Sequence, residues 1–195
     1  MSINVKLESL DTKSRFVTKA YLDENNNPQL VGSELPLPVA DIVALRTFEG
    51  RTFGIGAVKN FENKLAAGAS LDLAIAWATG VSPRITLTGL VGGNAIAYLY
   101  EGATVSGGTT VAAVNLKRTS TRTSESAALL QPTVSSTGTL VLEQLLLGGI
   151  GKKAGGGGDD SGRLYLKPLT TYLFRVTNKD SGTPHVAEIL LEWYE

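Results

Sequence analysis

The chain has 195 residues, 20.5 kDa, no cysteine, one histidine, and 18 basic against 18 acidic side chains. That is the length of one domain, or of one domain with an arm. The composition excludes disulfides, thiol nucleophiles, thiolate zinc sites and multi-histidine metal centres within one chain. A zero formal net charge and a pI near 6.6 argue against nucleic-acid binding through bulk charge and against polybasic adhesion to a membrane.

Residues 1–45 read as an extended N-terminal arm. Lys6, Glu8, Asp11 and Lys13 are interspersed with single apolar residues, and no secretory leader is expected from them. Asn25, Asn26, Asn27 and Pro28 follow, then Leu35-Pro36-Leu37-Pro38, and both groups disfavour regular elements. Each proline holds the residue before it extended, so Leu35 and Leu37 are expected to be extended. The segment reads either as a poorly ordered terminus or as an arm that orders against a partner; in the second reading Leu30, Val31, Leu35, Leu37 and Val39 are the candidate contact residues, apolar points on an extended chain that suit shallow pockets on a larger assembly or a neighbouring subunit. Residues 39–45 allow one or two helical turns.

From residue 46 to 195 the pattern is strand and turn. Residues 51–61 are apolar with Gly54 and Gly56 inside, which suggests a bend or bulge. Residues 70–77 alternate Leu71, Leu73, Ile75 and Trp77 against Ser70, Asp72, Ala74 and Ala76, a period of two. The apolar stretch 71–81 is broken by Asp72 and Gly80 and is too short to span a bilayer. Residues 84–90 alternate again, and Gly92-Gly93-Asn94 signals a turn. Residues 95–101 put Ile96, Tyr98 and Tyr100 on one face and Ala95, Ala97 and Leu99 on the other.

Residues 109–116 form a short β-branched strand, 117–126 a Ser/Thr/Arg loop, and 139–147 a long apolar run compatible with a strand. Residues 148–162 are dominated by glycine and are expected to be an exposed loop without a ligand, because glycine loses most entropy on ordering. Residues 169–177 and 186–194 are two more alternating strands, with 178–182 read as a hairpin loop between them. About eight strands with turns between them and almost no helix give a mainly β fold: an antiparallel β-sandwich, jelly-roll-like. An immunoglobulin-like sandwich is the alternative.

Few residues offer chemistry. His185 and Glu188 are three apart, which on a strand points them to opposite faces. Beside the hairpin, His185 reads as a surface histidine. Gly149-Ile-Gly151-Lys-Lys-Ala154 matches a dinucleotide fingerprint, but glycines stand where a helix is needed, and a P-loop fails at Leu146 and Lys153. Asp159 and Asp160 lack the alternating ligands of a calcium loop. Lys117, Arg118 and Arg122 make a small basic patch without interleaved aromatics, which suits a polar rim or subunit contact better than nucleic acid. No catalytic residue, cofactor or metal is therefore expected. Tyr98 with Tyr100, and Tyr172 with Phe174, form stripes that suit a core or a subunit interface, or, if exposed, a surface for stacking on sugars.

Residues 97–110, Ala-Tyr-Leu-Tyr-Glu-Gly-Ala-Thr-Val-Ser-Gly-Gly-Thr-Thr, resemble a strand and loop of tailed-phage virion proteins. So do Val114-Asn-Leu-Lys-Arg118 with its Thr/Ser-rich continuation, Thr137-Gly-Thr-Leu140, the glycine-rich segment 151–158 and the closing Glu188-Ile-Leu-Leu-Glu-Trp-Tyr-Glu195. The resemblance spans residues 70–195 and is to capsid decoration, or cement, proteins of tailed bacteriophages. It implies a β-sandwich or jelly-roll module on the virion exterior that bridges major capsid protein subunits, often as a trimer or dimer, with no catalytic residues to carry over. A trimer is the expected state here, with Leu30, Val31, Leu35, Leu37 and Val39 of the arm as the candidate contacts to the capsid or a neighbouring subunit. Repetition on a symmetric shell would let each copy bind with modest affinity.

Overall fold

The computed structural model describes residues 20–22, 28–30, 42–78, 83–146 and 164–195. The chain divides into two units, residues 1–41 and 42–195. In the first, strands β1 (Ala20–Leu22) and β2 (Pro28–Leu30) pair antiparallel, with Ala20 opposite Leu30 and Leu22 opposite Pro28. Leu30 was expected on a chain without regular structure; it lies instead in a strand. Proline is tolerated in a strand that, among the described residues, is paired on one side alone, since a missing N–H on the other side costs no ladder bond. Val31, Leu35, Leu37 and Val39 lie outside the described residues.

The second unit opens with helix α1 (Ile42–Phe48). The strands that follow are β3 (Thr52–Lys59), β4 (Ser70–Trp77), β5 (Arg84–Val91), β6 (Ala95–Glu101), β7 (Thr104–Ser106), β8 (Thr109–Val111), β9 (Val114–Asn115), β10 (Ser126–Leu130), β11 (Thr133–Ser136), β12 (Thr139–Leu146), β13 (Leu164–Tyr165), β14 (Tyr172–Asn178) and β15 (Ala187–Tyr194). Every pairing is antiparallel.

The larger sheet runs β12-β6-β14-β4-β10-β8 and the smaller β13-β5-β15-β3-β9. Without the insertion between β6 and β12, these reduce to β12-β6-β14-β4 facing β13-β5-β15-β3. Successive strands then alternate between the sheets except at the β6–β12 step. This is the double Greek key of a jelly roll. The insertion lengthens both sheets with β8, β9 and β10 and adds a separate ribbon, β7 with β11.

The core lies between the sheets. Trp77, Trp193, Phe53, Tyr172, Phe174, Leu73 and Leu191 are almost fully buried. Trp193 sits edge-on to Trp77 with ring centroids 5.6 Å apart and stacks on Phe53 at 6.2 Å. On β6 the small face, Ala95, Ala97 and Leu99, points inward and the tyrosine face outward. On β4 the outward Ala74 is buried too, in a second small cluster with Ala103 and Leu173 against Val105 of β7 and Val134 of β11. The ribbon thus covers part of the larger sheet's outer face.

Two expectations need correction. Strand β3 is not bulged: it keeps one register with β15 from Thr52–Tyr194 to Lys59–Ala187. Gly54 serves close approach, since a Cβ there would press on Leu116 at 3.3 Å. Residues 178–182 do not close a hairpin, because β14 and β15 belong to opposite sheets. Asn178 redirects the chain, its Nδ2 donating to the carbonyls of Leu65 at 3.1 Å and Thr183 at 2.9 Å. The apolar run 139–147 forms strand β12 as its pattern allowed, and all of that strand's residues but Leu146 are exposed.

Candidate interaction surface

Four strands end the two sheets. Three are short, β8 with 3 residues and β9 and β13 with 2 each, whereas β12 has 8. Short edge strands are a common defence against unwanted pairing. Strand β12 lacks that defence. It pairs with β6 on one side, and among the described residues nothing pairs with its other side.

The register explains why so apolar a strand stays exposed. Leu140, Glu143 and Leu145 face outward beside Tyr100, Tyr98 and Ile96, while Leu142, Gln144 and Leu146 face inward beside Leu99, Ala97 and Ala95. A bulge at Val141 shifts the phase between these two sets. Leu146 is buried against Gly89, where a Cβ would come within 3.3 Å of its Cδ1. Leu142 and Gln144 remain at the rim: among the described residues the facing edge strand β13 pairs with Arg84 and Ile85 of β5 alone. The outcome is an apolar edge: Leu140 is 47% exposed, Val141 45%, Leu142 39% and Leu145 61%. Glu143 is the strand's single charge.

Next to the edge, Tyr98 and Tyr100 stack with centroids 5.6 Å apart. Both are half-buried. Burial raises the Tyr100 hydroxyl pKa above the ordinary tyrosine value, with the neighbouring Tyr98 adding to it and Arg175 opposing. Tyr172 and Phe174, the other expected stripe, are core.

A separate cleft of about 350 Å³ opens at the far end of the smaller sheet, lined by Val58, Phe61, Val91 and Val186 with Lys59 and Glu188. His185 lies close by, against Gly92 and Gly93. It is not the surface histidine expected, because Leu65 bridges its backbone and its side chain is mostly covered. Its partner is Asp180, with Nε2 2.6 Å from Oδ2, short but poorly directed for a hydrogen bond. Asn94 grips Asp180 from its backbone N at 3.0 Å and from Nδ2 at 2.8 Å. These bonds, with His185, hold the Asp180 carboxyl below the usual aspartate range.

The basic patch is tied down locally. Lys117 Nζ donates to the Phe48 carbonyl at 2.7 Å and lies over that ring, and Arg118 Nη1 reaches the Asn115 carbonyl at 3.4 Å. Lys152, Lys153, Asp159 and Asp160 lie outside the described residues. Among the described residues no group of three or more His, Asp or Glu side chains is placed to hold a metal ion, and no helix is long and apolar enough to cross a membrane.

The β12 edge was readable as an apolar run but not as a surface. Whether such a run is covered depends on the length of β13, which comes from another part of the chain. No family model, curated protein or solved structure matches the chain.

Proposed function

We propose that this chain is a structural virion protein: a decoration, or cement, protein that binds the outer surface of a tailed-phage capsid and bridges major capsid protein subunits. Its partners are the major capsid protein and further copies of itself, most simply as a trimer, and it performs no turnover. The observation that carries this reading is the exposed apolar edge of β12 on a jelly roll whose other edges are short. An exposed apolar patch on a stable module is the usual mark of an association surface. The resemblance of residues 70–195 to decoration proteins supplies the kind of assembly.

The test is co-sedimentation with undecorated shells of the phage that carries this chain, followed by cryo-microscopy of the decorated particle. Saturable binding at a fixed ratio of copies to capsid subunits is expected. Leu145→Lys should weaken it at least tenfold, because it places a charge on the apolar edge. Failure to bind shells under any salt condition would remove the reading.

The Tyr98–Tyr100 stack supports a second reading, a carbohydrate- or receptor-binding module of a phage tail or fibre. Half-buried aromatic rings beside Glu143 and Arg175 are suited to stacking on a sugar ring. Glycan-array binding lost on Tyr98→Ala, in a protein that ignores shells, would favour it.

A further inference from the structure

We infer that the free edge of β12 is a strand-acceptor site, and that its occupant is residues 35–39 of a second copy of this chain. The inference goes beyond capsid binding and does not depend on it.

The acceptor side is structural. Beyond the bulge, β12 offers the regular stretch Leu142 to Leu146, paired residue for residue with Leu99 to Ala95 on one side and unpaired on the other among the described residues. A free edge of that kind presents a row of backbone donors and acceptors to an incoming extended chain.

The donor side is written in Leu35-Pro36-Leu37-Pro38-Val39. Successive residues of a strand direct their N–H and C=O groups to opposite sides. With Leu35, Leu37 and Val39 paired to β12, both prolines turn their missing N–H groups away from it, where proline is tolerated. Each proline also preorganises its predecessor in the extended region, which lowers the ordering cost of the arm. The added strand then exposes an edge without donors at Pro36 and Pro38, so the sheet ends after one strand. Exchange of this kind gives a closed oligomer where the rotation between successive copies closes.

The length of the link favours another copy. Ala40 and Asp41 alone separate Val39 from Ile42 of α1, so Val39 lies within about 11 Å of Ile42 at full extension. Helix α1 packs on β3 and β15 of the smaller sheet. From β15, a strand added to β12 is one sheet separation and three strand spacings away, about 17 Å.

The test uses the full-length chain, which has no cysteine of its own. Chains carrying Leu37→Cys are mixed under oxidising conditions with chains carrying one cysteine at Leu142, Glu143, Gln144 or Leu145. The expected product is a disulfide-linked pair of unlike chains at alternate β12 positions, because neighbouring side chains point to opposite faces. Cross-linking at none of these positions overturns the inference. So does a chain carrying both cysteines that forms the disulfide only within itself, at monomer mass. Light scattering is the second readout. Leu37→Pro, which removes a pairing donor within unit 1–41, should reduce the oligomer to the 20.5 kDa chain, whereas Leu37→Ala should not. A wild-type monomer at every concentration, or an oligomer unaffected by Leu37→Pro, also overturns it.

Discussion

Arg175 donates two hydrogen bonds to Asp72, from Nε to Oδ1 and from Nη2 to Oδ2, each 2.7 Å long. The two residues face each other across the β14–β4 register on the outer side of the larger sheet, beside Tyr98. Asp72 is nearly buried there, and Arg175 largely covered. Removing one partner strands the other without a counter-charge. Arg175→Ala should therefore cost ~2–3 kcal/mol in urea unfolding, less than a fully buried pair because Arg175 still touches solvent. The double substitution Asp72→Leu with Arg175→Leu should recover most of that loss. A single-site loss below half a kilocalorie would show that solvent replaces the pair without cost.

Acid should weaken the fold through two carboxylates. Glu101 accepts from Lys167 Nζ at 2.6 Å and from the Tyr172 hydroxyl at 2.8 Å, and these bonds hold its carboxyl below the usual glutamate range. Asp180 is depressed mainly by Asn94. Both groups bind protons more readily in the unfolded chain. Their contribution is present above the ordinary carboxylate range and is lost as pH falls below about 4 through the folded values. The melting temperature should drop across that window and change little between pH 6 and 8 on their account. Glu101→Gln should flatten part of the acid limb. An equally steep limb in that variant would assign the acid sensitivity elsewhere.

The aromatic core should dominate stability. Trp193 contacts both Phe53 and Trp77, so Trp193→Ala leaves a cavity between the sheets and should cost about 3–5 kcal/mol. Trp77→Phe should cost less. Its indole Nε1 is buried and has no hydrogen-bond partner among the described residues, and the substitution removes that group with the lost volume. The chain's two tryptophans are both buried, so fluorescence should shift to the red in one cooperative step with the loss of β-sheet circular dichroism. Two separate steps would mean the sandwich does not unfold as a unit.

Two glycines separate backbone strain from crowding. Gly138 and Gly182 both have positive φ, 76° and 83°. A Cβ on Gly182 meets open space, whereas one on Gly138, in the β11–β12 turn, would collide with the Glu101 carbonyl and the Gly102 backbone at the end of β6. Gly182→Ala should cost ~1–2 kcal/mol from backbone strain alone. Gly138→Ala should cost clearly more and should loosen β12, seen as faster amide exchange from Leu140 to Leu145. Equal costs for the two would mean the turn relaxes freely.

The sequence by itself determined the class of the fold and much of its strand inventory. Ser70–Trp77 and Ala95–Glu101 are strands with the bounds that their alternation implies. Period-two patterning is a local property, and the backbone expresses it wherever the strand ends up. Strand β10 escaped notice because Ser126–Leu130 is short and does not alternate. Only tertiary structure decided which face of β6 turns inward, because alanine and tyrosine faces alternate equally well, and the inward face meets the facing sheet at Gly89, close to Ala97, where a small side chain fits. It alone decided that residues 178–182 cross between sheets, since the same turn residues serve a hairpin or a crossover. It also decided that β12 is a surface. Eight apolar-rich residues look like core until the strand that should cover them proves to be two residues long. That shortfall arises from the pairing of distant segments, which no local window of residues contains.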